Sequence, residues 1–210
     1  MKICVLSDKQ WPSADEAIRD AVLALPFGRA EQERLLALRN PARAAQSLGA
    51  LLALQALITP LSYQICRTAD GKPYFDAPHA PHFSLSHAEG LAVAALAEPT
   101  EGLIGVDFEW LHPLDHDRIA ARFFSKEELA SYQANPTQDT FFALWTAKEA
   151  RAKASGNGLF GKEARPLEAA HVKHFYLTAE DRTGMLCVVT ENEAHAPTIS
   201  LPPAFKISEI

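Results

Sequence analysis

The sequence predicts an α/β (α+β) protein made of two halves of similar plan, each a small, mostly antiparallel sheet packed with helices. The first observation is the order of the local patterns. Helices and a β-hairpin are followed by a carboxylate-bearing strand, and then by further helices and a second hairpin. The second is a stretch from Pro99 to Gly102 that breaks regular structure and divides the chain into residues 1–101 and 102–210. No stretch repeats literally, so the similarity of the halves rests on element order alone.

Composition excludes several classes of protein. The chain has 210 residues, 48% of them hydrophobic and 22% charged, which is typical of a soluble globular protein. A net charge of −6 argues against a general nucleic-acid binder, which needs a basic surface. No apolar run approaches the ~20 residues that a membrane-spanning helix needs, and the first residues lack the apolar core of a signal peptide. The three cysteines are odd in number and far apart, which is typical of reduced thiols. We therefore expect a cytoplasmic protein.

The first half is predicted to contain a strand, three helices, a second strand and a hairpin. Ser13 and Glu16 have the spacing of a capping box, which predicts the start of the first helix. Asn40-Pro41 separates the second helix from the third. The predicted elements are, in order, Lys2–Ser7, 13–25, Glu31–Leu38, Ala42–Ile58, Tyr63–Arg67, and Phe83–Ser86 paired with Leu91–Ala97.

Positive charge is concentrated in the second and third helices, although the chain as a whole is acidic. Each arginine alone is best interpreted as part of a solvated helix face, paired with Glu31 or Glu33. As a group they are also suited to grip a phosphate, because the planar guanidinium group matches phosphate oxygens. Both interpretations stay open for the set Arg29, Arg34, Arg39 and Arg43.

The predicted hairpin carries two polar residues in succession, Ser86 and His87. Neighbouring residues of a strand face opposite sides, so this pair cannot act as a nucleophile with its base. The G-x-S-x-G pattern of a nucleophile elbow is also absent from the sequence. The two side chains are therefore either polar surface or hydrogen-bond donors to a ligand.

The strand predicted at Leu103–Trp110 has two different faces. Val106 and Phe108 would point into a core, whereas Asp107 and Glu109 would share the opposite face. Two carboxylates placed this way repel each other unless the face is wet or a cation lies between them. An edge strand with a solvated face and a Mg²⁺ site completed by substrate phosphates are both compatible with this stretch alone.

The second half is predicted to contain three helices and then three strands. Its longest helix carries Phe141, Trp145, Glu149 and Lys153 at four-residue spacing, so they form one stripe. A solvent-exposed Glu149–Lys153 pair is the simple interpretation, but the two aromatic residues favour a helix that enters a core at one end and lines a cleft at the other. The predicted elements are 115–124, 125–132, 137–154 (ended by Gly156-Asn157-Gly158), 172–180, 185–190 and 198–201.

Two of these motifs together resemble a known family. Asp107-Phe108-Glu109 followed by Trp145-Thr146-Ala147-Lys148-Glu149 and then Lys153 is similar to the G-V/I-D-x-E and W-x-x-K-E-x-x-x-K signature of the 4′-phosphopantetheinyl transferases. Three further segments fall in that family's order, so the resemblance covers roughly residues 46–159. They are Gly71-Lys72-Pro73, Phe83-Ser84-Leu85-Ser86-His87 and Arg122-Phe123-Phe124-Ser125.

The resemblance implies a fold and a reaction. The chain length is similar to that of the large single-chain (Sfp-like) branch, in which two related halves form a pseudo-dimer. The implied reaction moves the phosphopantetheine arm of coenzyme A onto a serine of an apo carrier protein and releases 3′,5′-ADP. By resemblance, Asp107, Glu109 and Glu149 hold Mg²⁺. Glu149 is also the implied general base, and Lys153 stabilises or protonates the leaving phosphate.

The resemblance also implies which residues bind coenzyme A, and three positions depart from the family pattern. Gln46 stands where the family commonly has an arginine on the 3′-phosphate, Ser84 stands where asparagine is usual, and Ala88 stands where a serine often follows. Arg43, nearly one turn before Gln46, is a substitute candidate for that phosphate. The residues expected to bind coenzyme A are Arg43, Lys72, Ser86, His87 and Lys148.

The remaining expectations concern partners and rival functions. Carrier proteins are commonly acidic, so Arg118, Arg122 and Lys126 are candidates for a local docking patch on a chain expected to be monomeric. One rival is another Mg²⁺-dependent phosphoryl-transfer enzyme, such as a phosphodiesterase, which would act without a carrier. The other is a degenerate regulatory module that binds coenzyme A or a carrier without catalysis.

Overall fold

A computed structural model describes residues 1–156, 170–192 and 196–210. Within these ranges the regular elements in chain order are β1 (Lys2–Ser7), α1 (Asp15–Leu23), α2 (Arg29–Leu36), α3 (Pro41–Ile58), β2 (Ile65–Arg67), β3 (Pro73–Phe75), β4 (His82–Ala88), β5 (Leu91–Ala97), β6 (Ile104–Trp110), α4 (His116–Phe123), α5 (Lys126–Ala134), α6 (Gln138–Ser155), β7 (His171–Ala179), β8 (Arg182–Thr190), β9 (Thr198–Ser200) and β10 (Phe205–Glu209). None of the helices in the described ranges is long and apolar enough to span a bilayer.

Two small sheets organise these elements. The first has the strand order β4-β5-β1-β9 and the second the order β10-β7-β8-β6, while β2 and β3 form a separate two-stranded ribbon. Every pairing is antiparallel except that of β9 with β1. The predicted α/β class, with small antiparallel sheets packed with helices, is confirmed. The division at residues 101/102 stays a prediction, and β9 joins the first sheet although it comes late in the chain.

The hydrophobic core follows the alternation of the strands. Ile3 and Val5 of the first sheet share one buried cluster with Val106 and Phe108 of the second, so the inner faces of the two sheets pack against each other. The outer face of the first sheet contributes Cys4 to a separate cluster formed with the N-terminal helices. The outer face of the second sheet packs against α6 through Cys187 and Val189 of β8 and Ala147 and Ala150 of the helix. Helix, sheet, sheet and helix therefore form successive layers.

A seam of serine hydroxyl groups joins the edge strands β4 and β6. The Ser84 hydroxyl accepts a hydrogen bond from the Val106 backbone N–H at 3.0 Å, and the Ser86 hydroxyl accepts one from the Phe108 N–H at 3.2 Å. The numbers rise together along both strands, so β4 and β6 run parallel where the sheets meet. The hydroxyl groups satisfy buried N–H groups that would otherwise lack a partner at this edge of the second sheet.

Most predicted helices and strands are found, and the differences concern one helix start and two short strands. Ser13 does not cap the first helix, which begins at Asp15. Its N-cap residue is Ala14, whose backbone is extended and whose side chain cannot accept a capping hydrogen bond. Gly156 ends α6 in the left-handed conformation, as the sequence indicated. Asn157 and Gly158, predicted to share that role, lie outside the described residues. The strands β3 and β10 were not predicted.

Candidate active site

The site is built where α6 lies directly on β6. Gly105, Asp107 and Glu109 alternate onto the face of β6 that meets this helix. A Cβ atom on Gly105 would lie 2.8 Å from the Ala150 carbonyl carbon and closer still to its oxygen. Glycine is therefore required for the backbones to approach this closely. The approach brings the C-terminal turns of α6 over the carboxylates of β6.

Asp107 and Lys153 form the centre of the site. The Lys153 ammonium group donates to Asp107 Oδ1 at 2.7 Å and to the Ser86 hydroxyl oxygen at 3.0 Å. The Ser86 hydroxyl group donates in turn to Asp107 Oδ1 at 3.0 Å. Asp107 is only 4% exposed, yet its Oδ2 has no hydrogen-bond partner among the described residues. A buried carboxylate oxygen without a partner is costly, so this atom is suited to meet a cation.

The neighbouring carboxylates show the electrostatic cost of the arrangement. Burial, followed by repulsion from Asp107, raises the pKa of Glu109 to about 7, with Glu149 adding to the effect. Burial and Asp107 also raise the pKa of Glu149 above its ordinary value, and Lys153 opposes this shift. Both shifts disfavour the charged form, so a cation placed among these groups would relieve repulsion.

The carboxylate oxygens of the site are suitable ligands for a hard cation, although the side chains do not converge on a single point. In the described part of the chain, no three histidine, cysteine, aspartate or glutamate side chains lie close enough together to hold a metal ion as they stand. The free oxygen of Asp107 and the carboxylates of Glu109 and Glu149 are the oxygen ligands that Mg²⁺ prefers. These three residues could hold Mg²⁺, which usually keeps several waters and uses few protein ligands.

A cleft of about 370 Å³ opens beside these carboxylates and is lined by both halves of the molecule. Glu149 and Lys153 of α6 line one part of it, and arginine side chains from the first half line another. His87 also lines the cleft, and burial, followed by the positive charge of Lys153, lowers its pKa. The imidazole is therefore held neutral near pH 7, which leaves it able to donate or accept a hydrogen bond.

Two of the lining arginines share one buried glutamate. Glu31 is 3% exposed and accepts a pair of hydrogen bonds from Arg34 and another pair from Arg67, with closest contacts of 2.7 and 2.9 Å. Burial raises the pKa of Glu31, but the bonds from both arginines outweigh that effect and lower it overall. The helix-face interpretation holds for Arg29, whose exposed side chain pairs with Glu33 at 2.6 Å. Arg34 also makes its predicted pair with Glu31, but that carboxylate is buried and is shared with Arg67, so the pair is not part of a solvated helix face.

The lysine of the Gly71-Lys72-Pro73 turn links the two halves. The Lys72 ammonium group donates to the Ala154 carbonyl in the last turn of α6, and Lys72 also lines the cleft. Burial lowers the pKa of Lys72, and the charge of Glu191 opposes that shift. A cation on the final carbonyl groups of a helix is favourable because of the helix dipole.

The remaining predicted residues are placed as follows. Arg43 lines the cleft, and its guanidinium group has no hydrogen-bond or ion-pair partner in the described ranges. Gln46, in the next turn of the same helix, donates to the Ala88 carbonyl at 3.4 Å. Lys148 pairs with Glu128 of α5 at 2.9 Å and is not among the residues lining the cleft. Arg43 is thus the lining arginine with the greatest freedom to meet an added anion.

The proposed carrier-docking residues lie on the two helices that follow β6 along the chain. Arg118 and Arg122 are exposed residues of α4, and Lys126 is the exposed first residue of α5. The Arg122 guanidinium group lies 5.0 Å from the centre of the Phe123 ring. These positions provide positive charge on a surface next to the helix that carries Glu149.

The second half of the chain matches a family model. Residues 103–198 match the model of the 4′-phosphopantetheinyl transferase superfamily. The resemblance to this family is confirmed. The match includes the carboxylate strand β6 and the helix α6, whose side chains meet in the site described above.

Several curated proteins are similar to the chain. A 4′-phosphopantetheinyl transferase of Bacillus subtilis is 39% identical over 106 residues, which cover 49% of this chain and 44% of the relative. The 4′-phosphopantetheinyl transferase Sfp of Bacillus subtilis strain 168 is 30% identical over 143 residues, covering 66% and 58%. The L-aminoadipate-semialdehyde dehydrogenase-phosphopantetheinyl transferase of Schizosaccharomyces pombe is 30% identical over 139 residues, covering 59% and 54%. The chain spans about half the length of the curated relatives it matches.

Proposed function

We propose that this protein transfers the 4′-phosphopantetheine group of coenzyme A to a serine hydroxyl group of an apo carrier protein, in a Mg²⁺-dependent reaction. The observation that carries the proposal is the buried Oδ2 of Asp107, which has no hydrogen-bond partner among the described residues and lies near two further carboxylates, beside a cleft rich in basic side chains. Coenzyme A has a matching distribution of charge, with a pyrophosphate at the bond to be broken and a separate phosphate on its ribose. The names of the curated relatives support the same reaction.

Three carboxylates are the proposed ligands of the metal ion. Asp107 offers Oδ2, and Glu109 and Glu149 offer carboxylates whose pKa values are raised by burial and then by repulsion from Asp107. When bound, Mg²⁺ supplies positive charge that neutralises the pyrophosphate and the transferring phosphoryl group. The protein's part is to hold these oxygens at fixed positions on β6 and α6.

Glu149 is the proposed general base. Its raised pKa makes its carboxylate a stronger base than an exposed glutamate, and it lines the cleft where the carrier serine would enter. The carboxylate takes the proton of the serine hydroxyl group, directly or through a water molecule, as the oxygen attacks phosphorus. The nucleophile belongs to the partner, which agrees with the lack of a nucleophile elbow in this sequence.

Lys153 is proposed to act on the leaving group. Its ammonium group lies one helical turn from Glu149 and is held at 2.7 Å from Asp107. From there it stabilises or protonates the departing phosphate of 3′,5′-ADP. The Lys153 ammonium group, which pairs with Asp107 in the free protein, would then also contact the phosphate of the substrate.

The proposed coenzyme A site uses the basic side chains of the cleft. Arg43 is the candidate for the 3′-phosphate, because it lines the cleft without a described partner. Lys72 and His87 are the candidates for the pyrophosphate, since both line the same cleft. Lys148 stays a prediction from the family motif, and its ion pair with Glu128 would first have to open.

The carrier protein is proposed to dock on α4 and the start of α5. Arg118, Arg122 and Lys126 give this surface local positive charge on a chain of net charge −6. An acidic carrier would be attracted to this patch. We further propose that the protein acts as a cytoplasmic monomer, with both halves of the cleft supplied by one chain.

The experiment that tests the function is the intact mass of an apo carrier protein after incubation with this protein, coenzyme A and Mg²⁺. We expect a gain of one phosphopantetheine that is abolished by EDTA and by E149Q. The matched control is E33Q, which changes an exposed carboxylate remote from β6 and should leave the mass gain intact. The carriers tested should include acyl, polyketide and peptidyl types, because the carrier class is open.

Two other outcomes would refute the transferase. Coenzyme A that is bound without modification of any carrier would indicate the degenerate binding module. Coenzyme A that is cleaved in the absence of carrier would indicate a Mg²⁺-dependent phosphodiesterase. Isothermal calorimetry and chromatography of the nucleotide products distinguish the two.

A further inference from the structure

The hydroxyl group of Ser86 lies where three elements meet. On β4 it faces β6 and accepts from the Phe108 N–H at 3.2 Å, while it also accepts from the Lys153 ammonium group at 3.0 Å. Its own hydrogen is directed to Asp107 Oδ1 at 3.0 Å. The residue is 4% exposed, so these contacts are made away from bulk water.

These contacts use the full hydrogen-bonding capacity of a serine side chain. A hydroxyl group has one hydrogen to donate and two lone pairs that accept. Phe108 and Lys153 occupy the two acceptor positions, and Asp107 takes the hydrogen. Binding a phosphate would require that same hydrogen, since phosphate oxygens only accept. Ser84, Leu85 and His87 of β4 line the cleft, and Ser86 is not among its lining residues.

We propose that Ser86 is a positioning residue for Asp107 and Lys153 and is not a ligand of coenzyme A. Ser86 and Lys153 both engage Oδ1, which fixes the rotation of the carboxylate and leaves Oδ2 as its free oxygen. The same hydroxyl group also holds the ammonium group of Lys153 in place. This role rests on the proposed function, because it is through Asp107 and Lys153 that Ser86 affects the reaction.

The test compares S86A with S84A. Both variants remove a buried hydroxyl group that accepts from a backbone N–H of β6, so both weaken the seam between the sheets. Among the described residues, however, the hydrogen bond of the Ser84 side chain is to Val106, whereas Ser86 also contacts Asp107 and Lys153. S84A thus reports the part of any change that a weakened seam produces by itself.

The first readout is the affinity for Mn²⁺, which serves as a probe of the Mg²⁺ site and whose binding is measured by electron paramagnetic resonance. Partners of metal-ligating side chains typically contribute ~10–100-fold to metal affinity, so we expect S86A to lose about tenfold or more. S84A should lose much less, and S86T, which keeps the hydroxyl group, should restore binding. An equal loss in S86A and S84A, or an absence of Mn²⁺ binding by the wild type, would overturn the assignment.

The second readout is the affinity for coenzyme A, measured by calorimetry in EDTA so that the metal plays no part. We expect S86A to bind coenzyme A as the wild type does, while kcat for carrier modification falls. A tenfold loss of coenzyme A affinity with unchanged Mn²⁺ binding would make Ser86 a substrate ligand and refute the proposal. If the wild type modifies no carrier, the proposed function fails, and the two binding measurements still decide the role of Ser86.

Discussion

Replacing Gly105 with alanine tests whether the contact between β6 and α6 sets the geometry of the site. The new Cβ would lie 2.8 Å from both the Ala150 carbonyl carbon and the Ala154 nitrogen. Carbon atoms in contact are ordinarily ~3.5–4.0 Å apart, so α6 must move away from β6 by on the order of 1 Å. The obstruction is helix backbone, which no rotation of a side chain relieves.

The displacement should cost both stability and activity. Overpacking of this kind costs ~1–3 kcal/mol, and 1 kcal/mol shifts Tm by ~2–4 °C in a chain of this size. A misplacement of ~1 Å between catalytic groups lowers the rate by up to ~100-fold. We therefore expect G105A to fold, to melt at a lower temperature and to lose most of its kcat, because Glu149 moves relative to Asp107.

The matched control is G49A in α3. A Cβ atom there would lie 2.6 Å from the buried ring of Trp11, so this variant is overpacked too, but in the first half of the molecule. Thermal unfolding by circular dichroism and the carrier mass assay should show similar losses of Tm and different losses of kcat. Wild-type kcat in G105A, or equal loss of kcat in both variants, would refute the proposed dependence on the β6–α6 contact.

Three further predictions concern charge. Ionised Glu31 stabilises the fold, because its pKa is lower in the folded than in the unfolded state; this stabilisation is complete above pH 4.5 and is lost as pH falls through the folded-state pKa. E31Q should therefore make Tm depend less on pH in the acid range, and an unchanged dependence would contradict this. Burial, followed by repulsion from Asp107, raises the pKa of Glu109 to about 7, so in EDTA its ionisation should lower stability as pH rises from 4.5 to about 7. E109Q should remove that slope, and Mg²⁺ should raise the Tm of the wild type more at pH 8 than at pH 5; equal gains would argue against a metal site. Reversing the charges of Arg118 and Arg122 should raise KM for the carrier and not for coenzyme A, and an unchanged carrier KM would remove the docking proposal.

The parts of the site that depend on local periodicity were predictable from the sequence. Strand alternation placed Asp107 and Glu109 on one face and Val106 and Phe108 on the other, and the structure has this arrangement. Helical spacing likewise placed Glu149 and Lys153 on one stripe, and both line the cleft. These placements need only the repeat of one element, so they hold wherever the element packs.

The parts that depend on contacts between distant segments were not predictable. The seam joins Ser84 and Ser86 to residues 22 positions further along the chain, and no propensity or motif indicates that two strands will meet through side chains. The shared carboxylate of Glu31 likewise needs an arginine from β2 as well as one from its own helix. Pairing of β9 with β1 spans nearly the whole chain. Such contacts are selected by tertiary packing, which overrides local preference.

The seam also has a consequence for how chains of this kind can be recombined. Two hydroxyl groups spaced two residues apart meet two amides with the same spacing, so the joint depends on register more than on the identity of the surrounding residues. A chimera that takes β4 from one relative and β6 from another should assemble if serine stands at both positions. Deleting a single residue within β4 would instead bring Leu85 and His87 to the joint and leave the two amides without acceptors. Length within this strand is therefore constrained more tightly than composition.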